Sequence, residues 1–271
     1  MYTNRFDSHM HSANSHDAFE PVTALCHSAI EQGLLGICIT DHCECNFYEK
    51  LGCGARIKQS MLDAQQAREE FAGKLVISRG VELGQALENE AAAREVLALA
   101  DYDFVLGSLH NNLGQTDFFY LNYSDPAIVV RDLMQQHYIE LQQLAASEYC
   151  DVLAHLTYPL RYIWGKHRIP VRMEDYQELI DEVLRTAAQT GKGMEINTSG
   201  LRQGMGITLP SVKYIKRFRE FGGEIVTIGS DAHRSEHVGF ALDAGMEVLK
   251  EAGFKYVSFF RERKPVMFRL I

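Results

Sequence analysis

The chain lacks any apolar run approaching the roughly 18 to 20 residues that cross a bilayer, and its N-terminus lacks a basic region followed by an apolar signal core. These absences leave a cytoplasmic protein with no membrane partner as the expectation. Basic residues are in deficit too: 27 Lys and Arg stand against 36 Asp and Glu, a formal charge of −9. Nucleic-acid binding needs a basic face that displaces counterions, so no nucleic-acid partner is expected. A GxGxxG after the first apolar run and a GxxxxGK[ST] are both missing, which weakens a nucleotide-binding fold. The cysteines, Cys26, Cys38, Cys43, Cys45, Cys53 and Cys150, fall at uneven spacings without a paired CxxC. That excludes a secreted disulfide framework, and Cys43, Cys45 and Cys53 read as small residues in a loop rather than as a zinc site.

What is present is a regular alternation. Over 271 residues with 46% hydrophobic content, short β-rich runs fall at 4–9, 36–41, 74–82, 104–108, 151–155, 193–197 and 224–230. Between them lie helical periodicities at 19–32, 60–72, 88–100, 127–147, 174–190, 211–221 and 236–252. Asp125-Pro126 and Leu209-Pro210-Ser211 carry helix-start chemistry, and Gly33, Gly73, Gly191 and Gly222 stand at helix ends. Seven β/α units imply a parallel sheet and favour a closed or nearly closed barrel, with a doubly wound open sheet as the alternative. The runs at 256–260 and 265–270 fit either a terminal strand or a segment packed across the barrel. Segments 114–125 and 200–209 read as loops on the side where barrel active sites gather.

The β runs share a habit of ending on residues that bind metals. Asp7-Ser8-His9-Met10-His11 places two imidazoles on one side of an extended segment, because side chains alternate with period two. Ser230-Asp231-Ala232-His233 answers it near the other end, and ICITDH, VISRGVE, FVLGSLH, DVLAH and MEIN repeat the pattern. The ligand candidates are His9, His11, Asp17, His42, Glu82, His110, His155, Asp231 and His233. Asp41 is a candidate for orienting an imidazole, and spacing leaves His16 and Asp17 as alternatives. Mixed nitrogen and carboxylate donors suit zinc, manganese or iron, and nine donors suit two or three divalent ions better than one. His27 and His137, inside helical patterns, are assigned no ligand role.

In order and over essentially the whole chain, HMHSANSHD, ITDH, GVE, GSLH, AHL and GSDAH resemble the polymerase and histidinol phosphatase (PHP) family. The resemblance implies one catalytic domain over 1–271, a distorted TIM-like (β/α)7 barrel with a trinuclear metal centre at the C-terminal ends of the strands. It favours Asp17 over His16, since the family's ligand lies six positions after the second histidine of the first motif. It also implies that His9, His11, Glu82 and Asp231 hold one metal, that Glu82 bridges to a second held by His110 and His155, and that Asp17, His42 and His233 hold a third. Length and the ending FFRERKPV look most like the histidinol-phosphate phosphatases among the family's branches.

The implied activity is hydrolysis of L-histidinol phosphate to L-histidinol and phosphate, a step of histidine biosynthesis, by in-line attack of a hydroxide shared between metals. Glu82, Asp231 and His233 are the catalytic candidates, with the acid for the leaving alcohol left open. Arg161 and Arg202 suit phosphate, since a guanidinium fork matches its geometry, and Asn197 and His237 are further candidates for the pocket. Tyr120, Tyr158, Tyr162 and Trp164 are expected to wall it. A phosphoesterase acting on another phosphomonoester or on nucleotides, and a non-catalytic metal-bound binding module, are the alternatives.

Overall fold

The computed structural model describes residues 2–271. Along the chain run β1 (Phe6–Asp7), α1 (Val22–Glu31), β2 (Gly36–Ile39), β3 (His42–Glu44), α2 (Tyr48–Leu51), α3 (Cys53–Glu70) and β4 (Val76–Gly84). There follow α4 (Glu90–Leu97), β5 (Phe104–Ser108), α5 (Val130–Ala146), β6 (Val152–Leu153), α6 (Gln177–Gln189) and β7 (Gly193–Asn197). The last elements are α7 (Ser199–Arg202), α8 (Val212–Glu220), β8 (Val226–Gly229), α9 (Leu242–Glu251), β9 (Tyr256–Arg261) and β10 (Lys264–Arg269). Every residue of β2, β5, β7 and β8 is buried, as strands covered on both faces must be. Seven strands pair in parallel in the order β1-β2-β4-β5-β6-β7-β8, with β3 added beside β4.

The barrel closes at a seam built by individual bonds rather than a full ladder. Ser8 N–H donates to Ile228 O at 2.9 Å, Asp231 N–H to His9 O at 2.9 Å and His11 N–H to Ala232 O at 2.8 Å. The buried Asp7 carboxylate accepts from Ser230 N–H (2.8 Å), Ser230 Oγ (2.5 Å) and Gly239 N–H (2.8 Å). Burial pushes its pKa up while these donors pull against the rise. At Gly229 a Cβ would collide with His9 Cβ and with Glu195 Oε1, so glycine is what lets β8 approach β1 this closely. The strand ends that carry Asp231 and the two N-terminal imidazoles are therefore locked to each other.

All seven expected β runs form barrel strands, and Gly33, Gly73, Gly191 and Gly222 all adopt positive φ past helix ends. The C-terminal segment is neither an eighth barrel strand nor a loose crossing. β9 and β10 form an antiparallel hairpin whose Phe259 stacks on Phe6 (4.7 Å between centroids) and whose Phe260 meets Phe104 (4.9 Å). Both partners open barrel strands, so the hairpin closes the N-terminal mouth and leaves the opposite mouth free.

Several expectations need correction. Asp125-Pro126 does not start a helix: Asp125 Oδ1 accepts from Ala127 N–H in a turn, and α5 begins at Val130. Part of 200–209 is helical, because α7 covers Ser199–Arg202, and 161–166 wind into a π-helical turn. Cys43, Cys45 and Cys53 lie on β3, on a 3-10 turn and at the start of α3 rather than in a loop; all six cysteines are free and buried. Among the described residues no helix is long and apolar enough to cross a membrane.

Candidate metal centre

The open mouth gathers all nine candidate ligands, with Glu82, near the end of β4, at their centre. Its side chain is 1% exposed and faces His9 Nε2 (3.2 Å), His11 Nε2 (3.5 Å), His42 Nδ1 (3.0 Å), His110 Nε2 (3.2 Å) and His155 Nε2 (3.0 Å). Asp231 Oδ1 lies 3.8 Å from His9 Nε2, 3.5 Å from His11 Nε2 and 3.5 Å from His233 Nδ1. Asp17 is exposed at the rim, where its Oδ2 is 3.2 Å from His233 Nε2 and 3.6 Å from His42 Nε2. His16 lines the mouth with its ring 5.2 Å from that of His42, whereas Asp17 reaches two imidazoles directly.

Three donor groups have the spacing to hold an ion: His9 with His11 and Asp231, His11 with His42 and His233, and His42 with Glu82 and His110. The first falls inside one inferred ligand set. The other two mix the sets, with His42 shared between them. The His9 and His11 Nε2 atoms lie only 3.0 Å apart, and buried His42 Nδ1 has no hydrogen-bond partner although a carboxylate oxygen is beside it. Nitrogens converging on one another and on carboxylates, without donors between them, suit shared cations.

Behind these groups stand residues that aim them. Glu195 Oε1 lies 2.6 Å from His9 Nδ1, while its Oε2 accepts His155 N–H at 2.8 Å and Asn197 Nδ2 at 3.2 Å. Glu44 Oε1 lies 2.9 Å from His110 Nδ1, and a Cβ on Gly84 would fill the space its carboxylate occupies. Asp41 touches no imidazole. It accepts from Ser12, Ser15 and Ser60 hydroxyls (2.7, 2.9 and 2.5 Å), and Ser15 Oγ lies 3.2 Å from His11 Nδ1. Such bonds to the far nitrogen of a ligating imidazole fix its tautomer and ring plane. Sequence reasoning missed Glu44 and Glu195, although period-two alternation puts Glu44 on the side of His42 and Glu195 on the side of Asn197.

Asp231 has φ +55°, a left-handed conformation that costs a non-glycine residue about 1 kcal/mol or more. Arg202 holds it there: its Nη1 donates to Ser230 O and its Nη2 to Asp231 O, both at 3.0 Å. Arg161 Nη2 donates to Asp231 Oδ2 (2.7 Å) and to Ser199 Oγ (2.8 Å). Burial would raise the Asp231 carboxyl, but Arg161 together with His9 and His11 holds it well below the usual carboxylate range. Asn197 is wholly buried behind Asp231, with Nδ2 3.4 Å from Oδ2, and so supports that carboxylate rather than lining the pocket. Arg161, Arg202 and His237 do line the cavity of ≈ 890 Å³ over the centre, as do Tyr120, Tyr158 and Tyr162. Trp164 turns away and packs against the core.

The imidazoles divide by environment. Burial lowers His11 and His155 below the ordinary histidine value. At His9, His42 and His110 burial acts in the same direction, but adjacent carboxylates outweigh it and raise all three, His110 to about 10. The carboxylates that favour protons on these three imidazoles set protons and a cation in competition for the same nitrogens, so metal affinity rises with pH. Zinc added to chelator-treated protein in weak buffer near pH 7 should release about two or more protons per chain. A pH-stat trace without acid release would contradict this.

A family model for the PHP domain matches residues 7–199. A probable histidinol-phosphatase of Clostridium acetobutylicum is 28% identical over 95% of this chain and 97% of its own length. A histidinol-phosphatase of Lactococcus lactis is 25% identical over 96% of each chain. The crystal structure of the Lactococcus lactis histidinol phosphate phosphatase, complexed with zinc, L-histidinol and phosphate, superposes with a TM-score of 0.80 at 23% identity, covering 97% of this chain and 99% of the other.

Proposed function

Since this chain belongs to the PHP domain family, we propose that it is a metal-dependent phosphomonoesterase that hydrolyses L-histidinol phosphate to L-histidinol and phosphate. The carrying observation is a cluster of nine nitrogen and carboxylate donors, Glu82 at its centre, under a cavity into which two arginines reach. The proposal extends to one catalytic domain over residues 1–271, located in the cytoplasm and holding two or three ions of zinc, iron or manganese. When bound, those ions supply positive charge to the phosphoryl oxygens and a water acidic enough to attack near neutral pH.

The chain's own residues do the rest. His9, His11, Glu82 and Asp231 would hold one ion, Glu82 with His110 and His155 a second, and Asp17, His42 and His233 a third. Glu195, Glu44 and Ser15 keep the imidazoles of His9, His110 and His11 aimed. Arg161 spends Nη2 on Asp231 and Ser199, which leaves Nη1 for a phosphoryl oxygen. Arg202 has a second task, because each terminal nitrogen gives one N–H to the backbone that shapes Asp231 and keeps another toward the cavity. His237, on the cavity wall beyond β8, faces the same end of the substrate.

Metal-loaded protein should release phosphate from L-histidinol phosphate with a kcat/KM about a hundredfold or more above that for nucleoside or sugar monophosphates. Equal turnover of all esters would reduce the reading to a general phosphomonoesterase. No turnover at full metal occupancy would favour a metal-bound binding module.

A further inference from the structure

The phosphoryl group has partners at the metal centre, but nothing above assigns the organic half of the substrate. One cavity-lining carboxylate stands apart from the metal ligands and from Glu44, which aims His110: Asp117, in the loop that follows β5. Its Oδ1 accepts Phe119 N–H at 2.7 Å. No Lys, Arg or His nitrogen among the described residues lies within ion-pairing distance of the carboxylate. The carboxyl is half-buried, and burial raises its pKa. A carboxylate held in partial burial without a cation is costly, and a cation supplied from the cavity removes that cost.

The surroundings fit such a cation. Tyr158 packs 4.8 Å from both His110 and His155, Tyr162 follows at 5.3 Å, Phe119 meets Tyr162 at 5.6 Å and Tyr120 meets Phe119 at 4.8 Å. This makes a continuous aromatic wall from the metal centre out to the loop that carries Asp117. Ring faces attract cations and flat heterocycles alike. The loop itself is anchored: Leu113 N–H donates to both oxygens of Glu140 (3.1 and 3.0 Å), Gly114 N–H to Glu88 (3.2 Å) and Phe118 N–H to His110 O (3.0 Å). The carboxylate is thereby set at a fixed place relative to a strand end of the metal centre. Arginines line the cavity from the β6 and β7 loops and this acid from the β5 loop.

We infer that Asp117 is a specificity-determining residue that binds a cationic nitrogen, ammonium or imidazolium, in the organic half of the substrate while the phosphoryl group lies at the metals. This rests on the phosphatase reading. Anionic sugar phosphates and nucleotides present no such nitrogen to it.

The test uses metal-loaded full-length wild type and Asp117→Asn, which keeps the acceptor for Phe119 N–H and loses the charge. Three monoesters are compared near pH 6, below the roughly 6.5 of a free imidazole: 2-(imidazol-4-yl)ethyl phosphate, 2-amino-3-phenylpropyl phosphate and the uncharged-tail 2-phenylethyl phosphate. The readout is the ratio of kcat/KM for each cationic ester to that of 2-phenylethyl phosphate, with metal content measured alongside. In wild type at least one ratio should exceed about 10, and Asp117→Asn should reduce that ratio by about tenfold, the worth of one charge-assisted hydrogen bond. The ester whose ratio falls identifies the nitrogen. A loop disturbed without specific recognition would lower all three rates together and leave the ratios alone, which would overturn the inference. Wild-type protein that hydrolyses neither these esters nor L-histidinol phosphate at full metal occupancy would overturn the phosphatase reading and this inference with it.

Discussion

Glu82→Gln is expected to remove at least one metal ion per chain and to lower phosphate release by about a thousandfold or more. The carboxylate is 1% exposed and faces five imidazole nitrogens within 3.5 Å. Burial alone would raise its pKa, yet His42, His9 and His110 hold it well below the usual range. A buried carboxylate leaves water at a cost of several kcal/mol, recovered only through surrounding positive charge. Glutamine keeps the shape and one acceptor, replaces the other oxygen with an N–H donor and deletes the charge that two ions would share. Excess metal should not restore activity, because the lost group is itself a ligand. Elemental analysis paired with a phosphate-release assay checks this, and a variant with full metal and full rate would remove Glu82 from the centre.

The location of this centre was legible because six of the seven barrel strands lead into a candidate donor, and a parallel barrel brings strand ends to one rim whatever their separation in sequence. His9 and Asp231 lie at opposite ends of the chain, yet the seam bonds from Asp231 N–H to His9 O and from Ser230 to Asp7 make them neighbours. What was not legible depends on side-chain direction and packing. Asn197 ends a strand as the ligands do, but it turns beneath Asp231 instead of into the cavity. Trp164 follows a strand as Tyr158 and Tyr162 do, but the π-helical turn rotates it onto the core. Arg202 was read as a phosphate contact. It lines the cavity, and the left-handed backbone at Asp231, which spacing cannot reveal, also takes one N–H from each of its terminal nitrogens. The β9–β10 hairpin stayed ambiguous because its six-residue strands carry no sign of the barrel end they cover; that is decided by Phe6 and Phe104.

Glu195→Gln should weaken metal binding by about 10- to 100-fold, with activity lost at limiting metal and recovered in excess. The residue ligates nothing in the inferred scheme, but one carboxylate serves three groups: His9 Nδ1 through Oε1, and His155 N–H and Asn197 Nδ2 through Oε2. An amide cannot accept at both ends. With its oxygen toward His9, its NH2 faces two N–H donors; with its oxygen toward His155, its NH2 faces the His9 ring and forces the other tautomer. Either arrangement misaims an imidazole that the cation needs, at a site 1% exposed where water cannot fill in for the lost acceptor. The two glutamates therefore separate by metal titration: rescue by excess zinc or manganese marks a residue that aims ligands, and failure of rescue marks one that is a ligand. If Glu195→Gln binds metal with wild-type affinity, the His9 contact is incidental. If its activity stays lost at saturating metal, Glu195 takes part in the reaction beyond orienting His9.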